Sequence, residues 1–111
     1  MFLSRFVTYS TNVYKMSKLV ALDFEVFGTV QGVFFRKHTQ KKGQELGLKG
    51  WCMNTDKGTV VGQLEGEEKK VEEMKRWLQY TGSPQSAIDK AVFQNEKEIS
   101  SPSFPSFDIR K

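Results

Sequence analysis

Cysteine and histidine are nearly absent from this sequence. Its 111 residues include one cysteine, Cys52, and one histidine, His38. A single cysteine excludes a disulfide within the chain and is typical of a protein from a reducing compartment. The two residues are also too few for the cysteine and histidine ligand sets of structural zinc sites. We therefore predict a protein that holds no metal.

Long apolar runs and a general excess of charge are missing as well. No segment approaches the roughly 18 consecutive apolar residues of a membrane-spanning helix, so we expect a soluble protein that does not enter a membrane. The chain has 17 basic and 13 acidic residues. Three of the basic residues and none of the acids lie in residues 1–18, which leaves 14 basic against 13 acidic residues elsewhere. Nucleic acid binding therefore has little electrostatic support.

Residues 1–18 are predicted to be a leader outside the folded domain, which spans residues 19–111. The leader lacks acids and a long apolar core, so it is a poor secretory signal. Its basic and hydroxyl residues are compatible with a mitochondrial transit peptide. The alternative is an unstructured tail that is skipped when translation starts at Met16. We expect a cytoplasmic protein, or a mitochondrial one if the leader directs import.

Hydrophobic patterns in the remaining residues predict a small α+β domain. In Leu19–Gly28 the apolar residues alternate with Asp23 and Glu25, which marks a half-buried strand with these acids on its solvated side. Residues 67–82 carry an apolar stripe with helical spacing and end at Gly82. The full predicted order is a strand at 19–28, a helix within 35–50, a hairpin at 50–67, a helix at 67–82, a strand at Ile88–Glu98 and a short strand at Phe107–Arg110.

This order indicates one architecture. Two helices can bury their stripes most economically on one face of an antiparallel sheet. We therefore predict the ferredoxin-like split βαβ sandwich, with element order βαββαβ. Gly43 inside the first helix lowers its helical propensity, so that helix has the weakest sequence support.

The segment GTVQGVFFRK, Gly28 to Lys37, joins the first strand to the first helix. Such a glycine-bearing turn exposes successive backbone N–H groups, and the helix start adds partial positive charge. Arg36 adds a planar cationic fork that matches two phosphate oxygens. The loop lacks the ending of a nucleotide P-loop. From these residues alone, a phosphate site and a plain structural connection remain equally good interpretations.

A second motif favours the phosphate site. The patterns G-x-V-Q-G-V-x-F-R and G-W-x-x-N-x-x-x-G-T-V both occur, in order, between Gly28 and Val60. With them the chain resembles the acylphosphatase family over about residues 19–111. The resemblance implies the same ferredoxin-like fold and an enzyme that hydrolyses acyl phosphates without a cofactor. The sequence departs from the family pattern at two places. The residue at position 34 is often smaller than phenylalanine in relatives, and the last residues before Lys111 lack the aromatic residue that is usual there in the family.

The resemblance also implies roles for individual residues. It makes Arg36 the phosphate-binding arginine and Asn54 the catalytic asparagine, with Thr55 and Thr59 in support. The residues that it implies for phosphate binding are Val30, Gln31, Gly32, Val33, Phe34, Phe35 and Arg36. His38 and Cys52 are predicted to be a surface residue and a packed thiol, since nothing basic is placed to activate the thiol.

The chemistry implied by the family needs no further group. In an acyl phosphate the leaving group is a carboxylate, a weak base that leaves without a general acid. An asparagine amide can hold a water in line with phosphorus while arginine and amides stabilise the phosphate charge. We predict a monomer acting on a small-molecule acyl phosphate, with no nucleic acid partner. The alternative is a non-catalytic phosphate- or RNA-binding module on the same fold.

Overall fold

The computed structural model describes residues 18–111, so all of the predicted leader except Lys18 lies outside the described residues. Seven elements follow one another within this range. They are β1 (Leu19–Thr29), α1 (Phe35–Glu45), β2 (Lys49–Asn54), β3 (Val60–Glu67), α2 (Glu68–Tyr80), β4 (Ala87–Ile99) and β5 (Phe107–Ile109). In this part of the chain no helix is both long enough and apolar enough to cross a membrane.

The strands form one five-stranded sheet in the order β4-β1-β3-β2-β5. Strand β1 pairs antiparallel with β3 and β4, and β2 pairs antiparallel with β3. The predicted ferredoxin-like sandwich is therefore confirmed. One pair departs from a purely antiparallel sheet, because the short β5 runs parallel to β2 at its outer edge.

The core lies between the sheet and the two helices. All four apolar residues of the β1 stripe are at most 3% exposed: Val20, Leu22, Phe24 and Val26. Helix α2 buries Val71, Met74 and Leu78 against them. In α1 the buried stripe is short and includes Gly43. A Cβ at Gly43 would lie 2.9 Å from the Phe107 ring, so the glycine lets α1 approach β5 closely.

The sheet topology brings distant segments to one end of the molecule. Strands β1 and β2 both run antiparallel to β3, so they run parallel to each other on its two sides. Val60 pairs with Val26 of β1 and with Asn54 of β2. The loop after β1 and the turn after β2 therefore emerge at the same end of the sheet. Strand β5 also ends there, because Ile109 pairs with Cys52.

Candidate active site

The loop between β1 and α1 presents main-chain donors that the protein leaves unused. Within residues 18–111, the amides of residues 31–37 donate no hydrogen bond to a protein acceptor. Phe34 is the N-cap of α1 and supplies no side-chain cap. Gly32 and Phe34 have positive φ angles of 76° and 58°, which turn the chain sharply into the helix. A turn of exposed amides at a helix start is a site suited to an anion.

Arg36 lies in the first turn of α1, beside these amides, and is partly buried. None of the ion pairs among residues 18–111 involves its guanidinium. Its cationic fork is thus not paired with a carboxylate in this part of the chain, and phosphate binding by Arg36 stays a prediction. The only thiol, Cys52, lies close by, and its Sγ is 3.8 Å from the Arg36 carbonyl oxygen. Burial raises the pKa of this thiol to about 12 despite the opposing arginine charge, which agrees with a packed, unreactive cysteine.

Asn54 is the last residue of β2 and lies on the same strand face as Cys52, two residues earlier. Because Cys52 contacts the first turn of α1, the Asn54 amide faces the helical side of the sheet at that end. Its Oδ1 atom is buried, and no group of residues 18–111 donates to it. An unsatisfied buried acceptor costs about 1–3 kcal/mol, which makes the Asn54 amide a candidate partner for a bound water or ligand.

The Gln31 side chain joins the loop to the turn that follows Asn54. Its Nε2 donates to the Thr55 carbonyl at 2.9 Å and to the Thr59 carbonyl at 3.0 Å. The Gln31 amide therefore connects the two segments, a contact that the phosphate-binding role implied by the resemblance did not include. It fixes the distance between the exposed amides and Asn54.

The turn itself is held by hydroxyl groups. The Thr59 hydroxyl donates to Glu25 Oε2 at 2.7 Å, so in the 2.6 Å contact between the two threonine hydroxyls Thr55 is the donor. Thr55 and Thr59 thus occupy positions beside Asn54 from which they can support it. The hydrogen bond from Thr59, opposed by burial and aided by the Lys57 ammonium, holds the pKa of Glu25 below its usual value.

Glu25 and Ser83 contact the site but were not among the predicted site residues. Glu25 was expected only to face solvent, and its link to Thr59 spans 34 residues of sequence. Ser83 is 2% exposed, and its hydroxyl donates to the Val33 carbonyl at 2.8 Å. In the sequence Ser83 carries only the signal of a helix stop before Pro84. His38 was predicted to be a surface residue, and its Nδ1 lies 3.0 Å from the Phe34 carbonyl in an exposed contact.

We expect Ser83→Ala to weaken inorganic phosphate binding about tenfold, since the Val33 carbonyl would lose its buried donor and the loop its shape. Isothermal titration with phosphate measures this, and Ser83→Thr, which keeps the hydroxyl, should recover most of the affinity. Ser106→Ala is the matched control, because this exposed serine donates only to Asp108. Unchanged phosphate affinity with a lower unfolding free energy would mean that Ser83 supports the fold alone.

A cleft of about 480 Å³ opens beside the loop and the first turn of α1. Its walls are formed by Val30, Gly32, Phe34, Phe35, Arg36, Lys37, Ile109 and Lys111. Five of these residues belong to the predicted phosphate-binding set, and three are cationic. Asn54 is not among the residues that line it. The amides, Arg36 and this cleft therefore meet on one side of the loop, and the Asn54 turn is tied to the loop by Gln31.

The acylphosphatase family model matches residues 22–109 of this chain. The chain belongs to this family. It is 57% identical over 93 residues to Acylphosphatase-1 of Homo sapiens, an alignment that covers 84% of this chain and 94% of that protein. It is 54% identical over 92 residues to Acylphosphatase-2 of Rattus norvegicus, covering 83% of this chain and 95% of that one.

Solved structures agree with this membership. An acylphosphatase from Bacillus subtilis superposes with a TM-score of 0.76 at 29% identity, covering 83% of this chain and 99% of that one. An acylphosphatase from Coxiella burnetii gives a TM-score of 0.72 at 34% identity, covering 84% of this chain and 94% of that one. The predicted family and the predicted enzyme class, an acyl phosphate hydrolase, are thus confirmed.

Proposed function

We propose that the protein hydrolyses acyl phosphates by direct attack of a water on phosphorus, with the roles divided between two segments. The amides of residues 30–36 and the Arg36 guanidinium bind the phosphate dianion. Asn54 holds the attacking water. The observation that carries this proposal is the buried Oδ1 of Asn54, which has no partner among residues 18–111 and directly precedes a turn that Gln31 ties to the loop.

The phosphate needs several donors at once, and the loop has them. Backbone N–H groups in a fixed turn stabilise charge on the phosphate oxygens without having to reorganise during the reaction. Arg36 can contact two of those oxygens through its planar fork. Since neither set has a partner of its own among residues 18–111, binding of the anion breaks no existing hydrogen bond there.

The reaction then requires only a positioned water. The water oxygen forms a bond to phosphorus while the bond from phosphorus to the acyl oxygen breaks, and that oxygen leaves as a carboxylate. The Asn54 carboxamide accepts a hydrogen bond from the water through Oδ1 and so aims the water's lone pair at phosphorus. A carboxylate leaves as a weak base, so the released proton can pass to a phosphate oxygen or to solvent. Thr55 and Thr59 keep the turn in place.

The alternative function, an RNA-binding module, finds little support on the open face of the sheet. That face carries Asp23, which accepts hydrogen bonds from Gln63 and Asn95 at 2.7 Å each. Glu25 adds a second acid whose pKa is lowered. The same face carries Phe27 beside Lys90 and Trp51 beside Arg110, but anionic groups in the middle of the sheet oppose a phosphate backbone.

We further propose that the protein acts as a cytoplasmic monomer on a small-molecule acyl phosphate, without a nucleic acid partner. The near balance of charge outside residues 1–18 supports the last point. Gel filtration with light scattering tests the monomer. Microscopy of the full chain and of a chain starting at Met16 tests the location, because import into mitochondria that depends on residues 1–15 would assign the leader a targeting role.

The activity itself is tested by phosphate release from acetyl phosphate and benzoyl phosphate in the presence of a chelator. We expect turnover of both substrates, with no loss on removal of metal ions. Absence of turnover together with retained phosphate binding would instead support a phosphate-binding module that lacks catalysis.

A further inference from the structure

Phe34 is held in a conformation that a bulky side chain seldom adopts. Its φ of 58° and ψ of 26° lie in the left-handed region, where residues other than glycine, asparagine and aspartate are uncommon. The backbone is fixed there, because the Phe34 carbonyl accepts from the His38 amide at 3.1 Å and lies 3.0 Å from His38 Nδ1. This anchored backbone directs the ring away from the core, and the residue is 69% exposed.

The exposed ring is part of the cleft that contains Arg36. Among residues 18–111, the exposed large hydrophobic residues are Phe34 and Tyr80, and only Phe34 lines this cleft. Ile109 contributes further apolar surface to the same walls, whereas Val30 and Phe35 lie behind it and are each 1% exposed. Packing of the core therefore does not account for the position of the Phe34 ring, whereas a ligand in the cleft would contact it.

The direction of attack indicates which part of a substrate this cleft receives. In phosphoryl transfer the incoming and leaving oxygens lie roughly in line on opposite sides of phosphorus. Asn54, the residue assigned to the water, does not line the cleft, whereas Arg36 and Gly32 of the phosphate loop do. The leaving acyl group of a phosphate bound at the loop is thus directed into the cleft.

From these observations, and resting on the proposed function, we propose that Phe34 and Ile109 form an acyl-group subsite. It selects acyl phosphates whose acyl group is aromatic or otherwise bulky and apolar. Phe34 is then a specificity-determining residue of this chain: its backbone contributes to phosphate binding and its ring contacts the acyl group. Lys37 and Lys111 are exposed in the same cleft and attract the dianionic phosphate over a longer range.

Two measurements test the subsite in the full-length protein. The first is the ratio of kcat/KM for benzoyl phosphate to that for acetyl phosphate. The second is the ratio of the dissociation constants of methylphosphonate and phenylphosphonate, which does not depend on turnover. We expect wild type to bind phenylphosphonate about tenfold more tightly than methylphosphonate, the scale of one apolar contact surface. Phe34→Ala should lower both ratios about tenfold, and Phe34→Leu should lower them less.

Tyr80→Ala is the matched control, since it removes an aromatic ring of similar exposure from the end of α2. Both ratios should equal those of wild type. Ile109→Ala should change the ratios in the same direction as Phe34→Ala, because it removes another apolar residue that lines the cleft.

Three results would overturn the subsite: equal binding of the two phosphonates by wild type, ratios that Phe34→Ala leaves unchanged, or a strong preference for succinyl phosphate over benzoyl phosphate. A preference for succinyl phosphate would mean that Lys37 and Lys111, and not the Phe34 ring, contact the acyl group. The same measurements test the proposed function independently of the subsite. Hydrolysis without selectivity refutes the subsite alone, whereas selective phosphonate binding without hydrolysis refutes the catalytic role alone.

Discussion

Replacement of Asn54 by alanine is expected to lower kcat for acyl phosphate hydrolysis by about 10² or more, the scale of one positioned catalytic group. Binding of inorganic phosphate should remain close to that of wild type, because the loop amides and Arg36 are unchanged. The reason is physical: alanine keeps the turn but removes the carboxamide that orients the water. Steady-state kinetics with benzoyl phosphate and titration with inorganic phosphate measure the two quantities.

The same substitution has an informative effect on stability. Asn54 Oδ1 is buried without a partner among residues 18–111, so its removal should not lower the free energy of unfolding and can raise it by about 1 kcal/mol. A variant that is inactive and at least as stable as wild type separates loss of catalysis from loss of fold. Full activity of Asn54→Ala would remove the role assigned to this residue.

Replacement of Arg36 by alanine is expected to reduce both phosphate affinity and turnover, with a fall in kcat/KM of about 10³. In the proposed mechanism the guanidinium contacts the phosphate in the ground state and in the transition state, so its loss should act on both. Arg36→Lys keeps the charge and loses the bidentate fork, and we expect an intermediate defect.

A neighbouring residue provides the control for Arg36. Lys37 lines the same cleft from the next position of α1 and is exposed. Lys37→Ala should therefore change kcat/KM only a few-fold, and this change should diminish as salt screens the charge. Arg36→Ala protein that binds inorganic phosphate as tightly as wild type would contradict the proposed phosphate site.

Most of the correct predictions of the fold came from patterns of residues that are continuous in sequence. The alternation in β1 and the stripe of α2 are local, and both elements formed as expected. The two motif segments made Arg36 and Asn54 candidates, because each motif is continuous in sequence. Helix α1 is present although Gly43 lowers its helical propensity. The glycine is needed at this position because a Cβ there would collide with the Phe107 ring.

The contacts that hold the site could not be predicted in the same way. Ser83 reaches Val33 across 50 residues, and Thr59 reaches Glu25 across 34. A serine after a helix is usually explained as part of the helix end, and a glutamate on an outward strand face as a solvated residue. Neither pattern indicates a hydrogen bond to a distant segment. The parallel pairing of β5 was equally hidden, because a strand of three residues has no periodicity from which a direction could be inferred.

The direction of β1 has a practical consequence for work with this protein. Leu19 pairs with Glu67, at the end of the sheet opposite to the Asn54 turn. A reporter or affinity label joined ahead of Leu19 would thus attach far from the phosphate loop and leave catalysis intact. Lys111 lies in the cleft itself, so the same label joined after it would crowd arriving substrate. Immobilisation through the amino-terminal side is the orientation that keeps the cleft open.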